Sequence, residues 1–355
     1  MTTLPNLEQW AYAERRAHAV EIRGLAPAVA RSVTDDFFRR YPSWLEAYGL
    51  TGVDRGVEDA RFHIEFLAAA IEGGNPNAFA DYIAWAARVL SSRHIRTNFL
   101  IENIEQVRDA LMKQLDPAIA AVVKSVVQHA FSAFDAGNGR KADVINAAVN
   151  VYVSAALSGQ RTAALNIARE ALQEGASVID VYCDLLQPAQ YELGRMWETN
   201  QISVAEEHLA TGITQYVIGK LSNELPKPES VRGNVVVTGV DGELHQLGAQ
   251  MLADALEAEG WNVHFLGSQV PLKDIASFVR DHEADALALS VTMLFNVRKA
   301  AQLIEDVRRE HGDRIRIVVG GSAFHANQRL WREIGADGLA SDLRAGLALL
   351  KRLVN

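Results

Sequence analysis

Cysteine is nearly absent: Cys183 is the single one in 355 residues, so neither a disulfide framework nor a cysteine metal cluster is available. Such usage suits a reducing compartment, and a cytoplasmic location is expected. No uninterrupted apolar run reads as long enough to cross a bilayer, and Met1 to Asn6 lack the basic-then-apolar pattern of a leader, so a soluble protein with no membrane partner is expected. Positive charge is short as well, with 35 Lys and Arg against 44 Asp and Glu and a formal net charge of −9. A phosphate-binding face needs clustered cations, so direct contact with nucleic acid is not expected.

What is present reads as three units, and a chain of this length can give each its own core. Two polar stretches carrying glycine or proline, 134–141 and 223–230, read as linkers. Residues 1–135 show helical periodicity over 7–22, 27–41, 56–71, 78–92, 96–115 and 118–134, and helices of that number and length can form an all-α, globin-like domain. Residues 142–222 read as four helices over 142–157, 161–173, 178–197 and 204–221, for which a four-helix bundle is the natural burial scheme. Ser203 and Glu206 form a capping-box pattern that sets the start of the last of these. The third unit, 233–355, opens on Asn234 to Gly239, a short β-branched run of the kind buried on both faces of a parallel sheet.

The turn after that strand carries Glu243, His245 and Gly248, with helical spacing resuming at Gln246. Ligands of open parallel sheets gather beyond the carboxyl ends of the strands, so an imidazole here is presented for ligation. Glu243 is placed to fix its tautomer, and Gly248 leaves room for a bulky group at the helix start. Taken alone, the acid-x-His-x-x-Gly pattern is also what a satisfied surface histidine looks like, and both readings stand at this point.

The stretch from Asn234 to Asn355 resembles the Rossmann-like (flavodoxin-like) cobalamin-binding domain of methionine synthase, corrinoid proteins and cobalamin photoreceptors. It does so through Glu243-x-His245-x-x-Gly248, Leu266-Gly267 with Val270-Pro271, Ser290 with Thr292, and Gly320-Gly321, in that order. The resemblance implies that His245 displaces the cofactor's own base and binds cobalt from below. It further implies that Ser290 and Thr292 line the slot for the displaced tail and that Gly320 and Gly321 let the backbone pass close to it.

In the middle unit Trp197 is followed nine residues later by Glu207 and His208, and the helix–turn–helix arrangement puts all three at one end of the bundle. Each has an ordinary reading as an interface tryptophan or a solvated helix-end residue. The spacing resembles the signature of adenosylcobalamin-dependent photoreceptors of the CarH type, which implies that Trp197 covers the adenosyl group while Glu207 and His208 hydrogen-bond to it. The sequence departs from that pattern at Glu198, where those receptors have a histidine that ligates cobalt after photolysis. It also departs in lacking their N-terminal DNA-binding module.

The segment Tyr82 to Phe99 is similar to sensor globins and bilin-binding relatives, which implies that Arg93 and His94 grip a linear tetrapyrrole; without a cysteine in this domain a thioether link is excluded. The combination resembles the photocobilins. It implies a light sensor rather than an enzyme, binding adenosylcobalamin with cobalt on His245, responding to loss of the adenosyl group, and tuned by biliverdin. The alternatives are a corrinoid methyl carrier, or a cobalamin-binding regulator without photochemistry. A downstream partner protein is implied but not named by the sequence, and a homo-oligomer is compatible with it.

Overall fold

The computed structural model describes residues 7–136, 146–226, 228, 231–325, 327 and 329–354. Most of the first expected linker, the expected start of the bundle at 142 and part of the second linker lie outside the described residues. The chain divides into two compact units, Met1–Arg140 and Lys141–Asn355.

The N-terminal unit is helical: α1 (Tyr12–Arg40), α2 (Pro42–Glu72), α3 (Pro76–Ser92), α4 (Thr97–Met112) and α5 (Pro117–Asp135). Its first two expected helices are one. Pro27 lies inside α1, yet Ala19, Ile22, Val29, Ala30 and Val33 form a buried stripe that stays in phase across it. Packing of both halves on α2 therefore outweighs the hydrogen bond that proline removes. Residues 42–55, between two of the expected helices, are also helical: Pro42 starts α2, and the chain bends at Gly49, whose φ of 60° only glycine adopts readily. Correcting the expectation of no long apolar run, Pro117–Asp135 is apolar and long enough to cross a membrane by composition alone. Ile119, Val123, Val126, Val127 and Ala130 bury that apolar side, and the helix packs with α3 and α4.

The second unit begins with helices α6 (Ala147–Leu157), α7 (Arg161–Gln173), α8 (Val178–Val181), a π-helical turn (Tyr182–Leu186), α9 (Gln187–Glu198) and α10 (Val204–Leu221). The capping box at Ser203 is present, with Ser203 N–H donating to Glu206 Oε2 at 2.7 Å and Glu206 N–H to Ser203 Oγ at 3.3 Å. A parallel sheet follows, β1 (Asn234–Gly239), β2 (Asn262–Gly267), β3 (Ala286–Ser290), β4 (Arg316–Gly320) and β5 (Gly338–Ala340), in the order β2-β1-β3-β4-β5. Helices α11 (Leu247–Ala258), α12 (Leu272–Asp281), α13 (Val297–His311), α14 (Leu330–Glu333) and α15 (Leu343–Val354) make the crossovers and the C-terminus. The strand order reverses between β1 and β3, which makes their carboxyl ends the crevice of this fold.

Bundle and sheet share packing. Met251 of α11 is buried in the bundle core, a contribution of about 2 kcal/mol for such a side chain. Arg344 of α15 pairs with Asp180 and Asp184 at 2.7 and 2.9 Å.

Candidate functional site

At the β1/β3 switch point Gly239 is in register with Ser290, and Ser290 with Gly320, so the three strand ends align. The turn after β1 then lies against the loop after β3, and that contact is built on Glu243. Its carboxylate is fully buried. Oε1 lies 2.6 Å from His245 Nδ1; Oε2 accepts from the amides of Thr292 (2.9 Å) and Met293 (3.1 Å) and from Asn296 Nδ2 (3.3 Å). Burial works against ionisation, but the hydrogen bonds from His245, Met293 and Thr292 outweigh it and hold the Glu243 carboxyl down at about 2.

The consequence falls on His245. With Nδ1 committed to a carboxylate as donor, Nε2 carries the lone pair, and the side chain remains 59 % exposed. The hydrogen bond to Glu243 raises the imidazole's affinity for protons, burial opposes it, and the charge of Glu207 on α10 adds to the rise. The rest of the turn is pinned: Gly242 N–H donates to Gln269 Oε1 at 2.9 Å, Asn296 Nδ2 to Gly242 O at 3.2 Å, and Lys299 Nζ to Asp241 O at 2.7 Å. An added Cβ at Gly248, on the first turn of α11, would meet nothing within 4 Å, so this face is open.

Thr292 enters through its backbone, donating to Glu243 and accepting from Ser322 Oγ at 3.0 Å. What Gly321 admits is protein: with φ at 99°, a Cβ there would lie 2.3 Å from Val291 O, and one at Gly320 would lie 3.2 Å from Ala340 O.

On the bundle, Trp197 is half-buried and packs on the bundle core. Glu207 Oε2 lies 2.8 Å from His208 Nδ1, and Oε1 accepts from Thr211 Oγ1 at 2.8 Å. Gln190 Oε1, 3.1 Å from Thr211 Oγ1, is an alternative acceptor for the same hydroxyl proton, and further in Gln190 Nε2 donates to Thr214 Oγ1 (2.8 Å) as does Tyr152 OH (3.1 Å). Trp197 and Leu247, the second of them two residues after His245, both pack on the bundle core, so the bundle and the turn after β1 meet in this unit.

Arg93 and His94 belong to the other unit, in the turn between α3 and α4. Arg93 Nη1 donates to Val89 O and Ser92 Oγ, and His94 is exposed with φ at 62°. His63 is buried with Nδ1 2.7 Å from Tyr82 OH, whose ring stacks on Phe66. Asn296, Gln190 and Thr214 were missed, since single amides and hydroxyls carry no spacing signal.

Residues 233–348 match the family model of the B12 binding domain, and residues 149–222 match a second model of the same description. Dimethylamine corrinoid protein 3 of Methanosarcina acetivorans is 25% identical over 171 residues, 48% of this chain and 79% of that protein. Dimethylamine corrinoid protein 2 of the same organism is 27% identical over 166 residues, 46% of this chain and 76% of its own length. The structure of the Methanosarcina barkeri monomethylamine corrinoid protein shares the fold, with a TM-score of 0.51 at 20% identity over 57% of this chain and 96% of that one. The chain carries cobalamin-binding domains and is homologous to corrinoid proteins.

Proposed function

We propose that this chain is a corrinoid carrier that binds cobalamin through His245 and presents it to a methyltransferase partner. The observation that carries the reading is the Glu243–His245 pair, because a buried carboxylate on Nδ1 leaves Nε2 as an oriented donor at the open end of the sheet. An imidazole nitrogen held in this way would bind the cobalt of a cobalamin, and the open face at Gly248 would leave room for a bulky group at the start of α11. When bound, the cofactor would supply the chemistry, a methyl group carried on cobalt. The chain's own residues bind and orient: His245 would hold cobalt, Glu243 would keep the imidazole turned toward it, and Ser290, Thr292, Gly320 and Gly321 belong to the strand ends and loops that would flank the tail. The homology to corrinoid proteins supports this reading. In protein carrying histidine labelled with nitrogen-15, the cobalt(II) electron paramagnetic resonance spectrum of the loaded chain is expected to show the doublet of a labelled axial nitrogen, and His245→Ala is expected to remove it. A triplet from unlabelled nitrogen in the parent, or a doublet kept in the variant, would remove His245 as ligand.

A second reading, an adenosylcobalamin light sensor with a biliverdin-binding globin-like domain, is favoured by one observation. Glu207 and His208 make a polar pair on the bundle, suited to accept hydrogen bonds from ribose hydroxyls and of no evident use around a methyl group. One charge-assisted hydrogen bond is worth about 1.5–3 kcal/mol, so a sensor should prefer adenosylcobalamin over methylcobalamin by about tenfold or more in the dark, and a carrier should bind both alike. Light-dependent change in the elution volume of the adenosylcobalamin complex would favour the sensor. For the bilin, red absorbance that fails to co-purify after biliverdin addition would dismiss Arg93 and His94 as its holders.

A further inference from the structure

We infer that Gln269, in the loop after β2, is a positioning residue: a left-handed backbone conformation lets its side chain pin the turn that carries Glu243 and His245. This rests on His245 being the lower ligand, as proposed above. Gln269 has φ at 63°, in a region that glycine enters freely and other residues rarely. Three other non-glycine residues share that region among those described, His94, Asn200 and Glu283. Each stands one residue past the C-cap of a helix and donates its N–H to the carbonyl three residues back, the ordinary end of a helix. Gln269 follows a strand and ends no helix. Its side chain is exposed, so the conformation serves no core packing either.

What the conformation secures is a contact with the turn after β1. Gln269 Oε1 accepts from Gly242 N–H at 2.9 Å, while Asn296 Nδ2 donates to Gly242 O at 3.2 Å. The residue just before Glu243 is thus held from the loop after β2 on one side and from the loop after β3 on the other. Gly242 needs both. Its own φ is 80° and Lys299 Nζ lies 2.8 Å from where a Cβ would stand, so no side chain can stiffen the position, and an untied glycine has more backbone freedom than any other residue.

The neighbours of Gln269 close on the same turn. A Cβ at Gly239 would lie 3.6 Å from Ser268 Cβ, and one at Gly267 would lie 3.3 Å from Gln246 Oε1, so the loop after β2 brackets the turn from strand end to helix start. Thr292, Met293 and Asn296 fix the carboxylate of Glu243, and Gln269 fixes the backbone from which His245 departs. An imidazole that meets a metal along one direction depends on both. Backbone strain of this kind persists where the surroundings over-determine it and clusters at functional sites.

The test compares Gln269→Gly and Gln269→Glu in the full chain. Glycine takes the left-handed conformation freely but loses the contact; glutamate keeps the length and an acceptor for Gly242 N–H. Unloaded, both variants should keep the parent's hydrogen-exchange protection in β1, because relief of strain offsets the lost bond in the first and the bond survives in the second. On titration with hydroxocobalamin, Gln269→Gly should bind about tenfold more weakly than the parent and Gln269→Glu within about twofold of it. Parent affinity in Gln269→Gly, or an equal loss in both variants, would overturn the positioning role. So would lowered β1 protection in Gln269→Gly, which would make Gln269 a residue of the fold. These outcomes leave His245 standing when the parent shows the labelled-histidine doublet in its cobalt(II) spectrum. A parent without the doublet overturns the lower-ligand reading and this inference with it.

Discussion

The hydroxyl of Tyr182, on the π-helical turn of the bundle, donates a 2.8 Å hydrogen bond to Oδ2 of Asp254 on α11. The bond joins the helical and sheet parts of the second unit through a carboxyl that has lost much of its hydration. Burial pushes the Asp254 carboxyl up to about 6; the Tyr182 hydrogen bond opposes this, and the charge of Glu257 adds to it.

A folded-state value above the unfolded one means that the native state holds this proton more tightly. The associated stability is present in full below the ordinary carboxyl range and is lost as pH rises through about 6. Asp254→Asn keeps an acceptor for Tyr182 and removes the charge. It should be more stable than the parent by about 1–2 kcal/mol near pH 8, allowing for partial exposure, with little difference near pH 4. Urea midpoints at the two pH values check this, and an equal offset at both would show that ionisation is not the cause.

Glu243→Gln tests the support of the proposed lower ligand. With its oxygen in the place of Oε2 the amide can still accept from Thr292, Met293 and Asn296, but its N–H then faces His245 Nδ1, itself a donor, and the negative charge there is gone. Loss of such a supporting group costs roughly 10–100-fold in metal affinity. Hydroxocobalamin titration should show that drop while His245 remains ligated; an unchanged affinity would mean that Glu243 serves the fold alone.

Gly321 and Gly335 separate close approach from backbone strain. Both have positive φ, 99° and 84°, but a Cβ at Gly321 would sit 2.3 Å from Val291 O, while at Gly335 the nearest atom is Ile304 Cγ2 at 3.4 Å. Gly335→Ala should cost about 1 kcal/mol and Gly321→Ala more than about 3, because only the second must also move a strand-end backbone. Thermal unfolding of the two variants ranks them, and equal losses would sink the close-contact account.

The cofactor-side features were legible where local chemistry is periodic or polar enough to leave a mark. Ser203 with Glu206 fixed the start of α10, and the β-branched run before Gly239 with the acid–histidine turn marked a switch-point crevice. Glu243 was expected to orient His245, but its burial and its three further donors come from the loop after β3, some fifty residues on in sequence, and no local pattern records such a contact. The break expected between 22 and 27 is absent for the converse reason, and Pro27 shows it. It is a breaker by local rule, overridden by a buried stripe that only the packing on α2 makes decisive. The roles of Arg93 and His94 came through resemblance alone, and the geometry around them is that of a helix–helix turn.

His63 gives the N-terminal unit its own pH signature. Burial lowers the imidazole to about 4, and the same burial raises the Tyr82 hydroxyl beyond its ordinary range, so the neutral histidine accepts at Nδ1 and Tyr82 donates. The unfolded chain takes up a proton near 6.5 that the folded unit refuses until about 4. Stability is therefore complete above 6.5 and is lost as pH falls toward 4, by about 3 kcal/mol for a shift of this size. His63→Gln can accept the Tyr82 hydrogen bond without titrating, so it should flatten this loss even if it lowers stability at neutral pH. Hydrogen exchange of α2 and α3 amides across that range provides the measurement. A parent and variant that lose protection in parallel would place the acid sensitivity elsewhere.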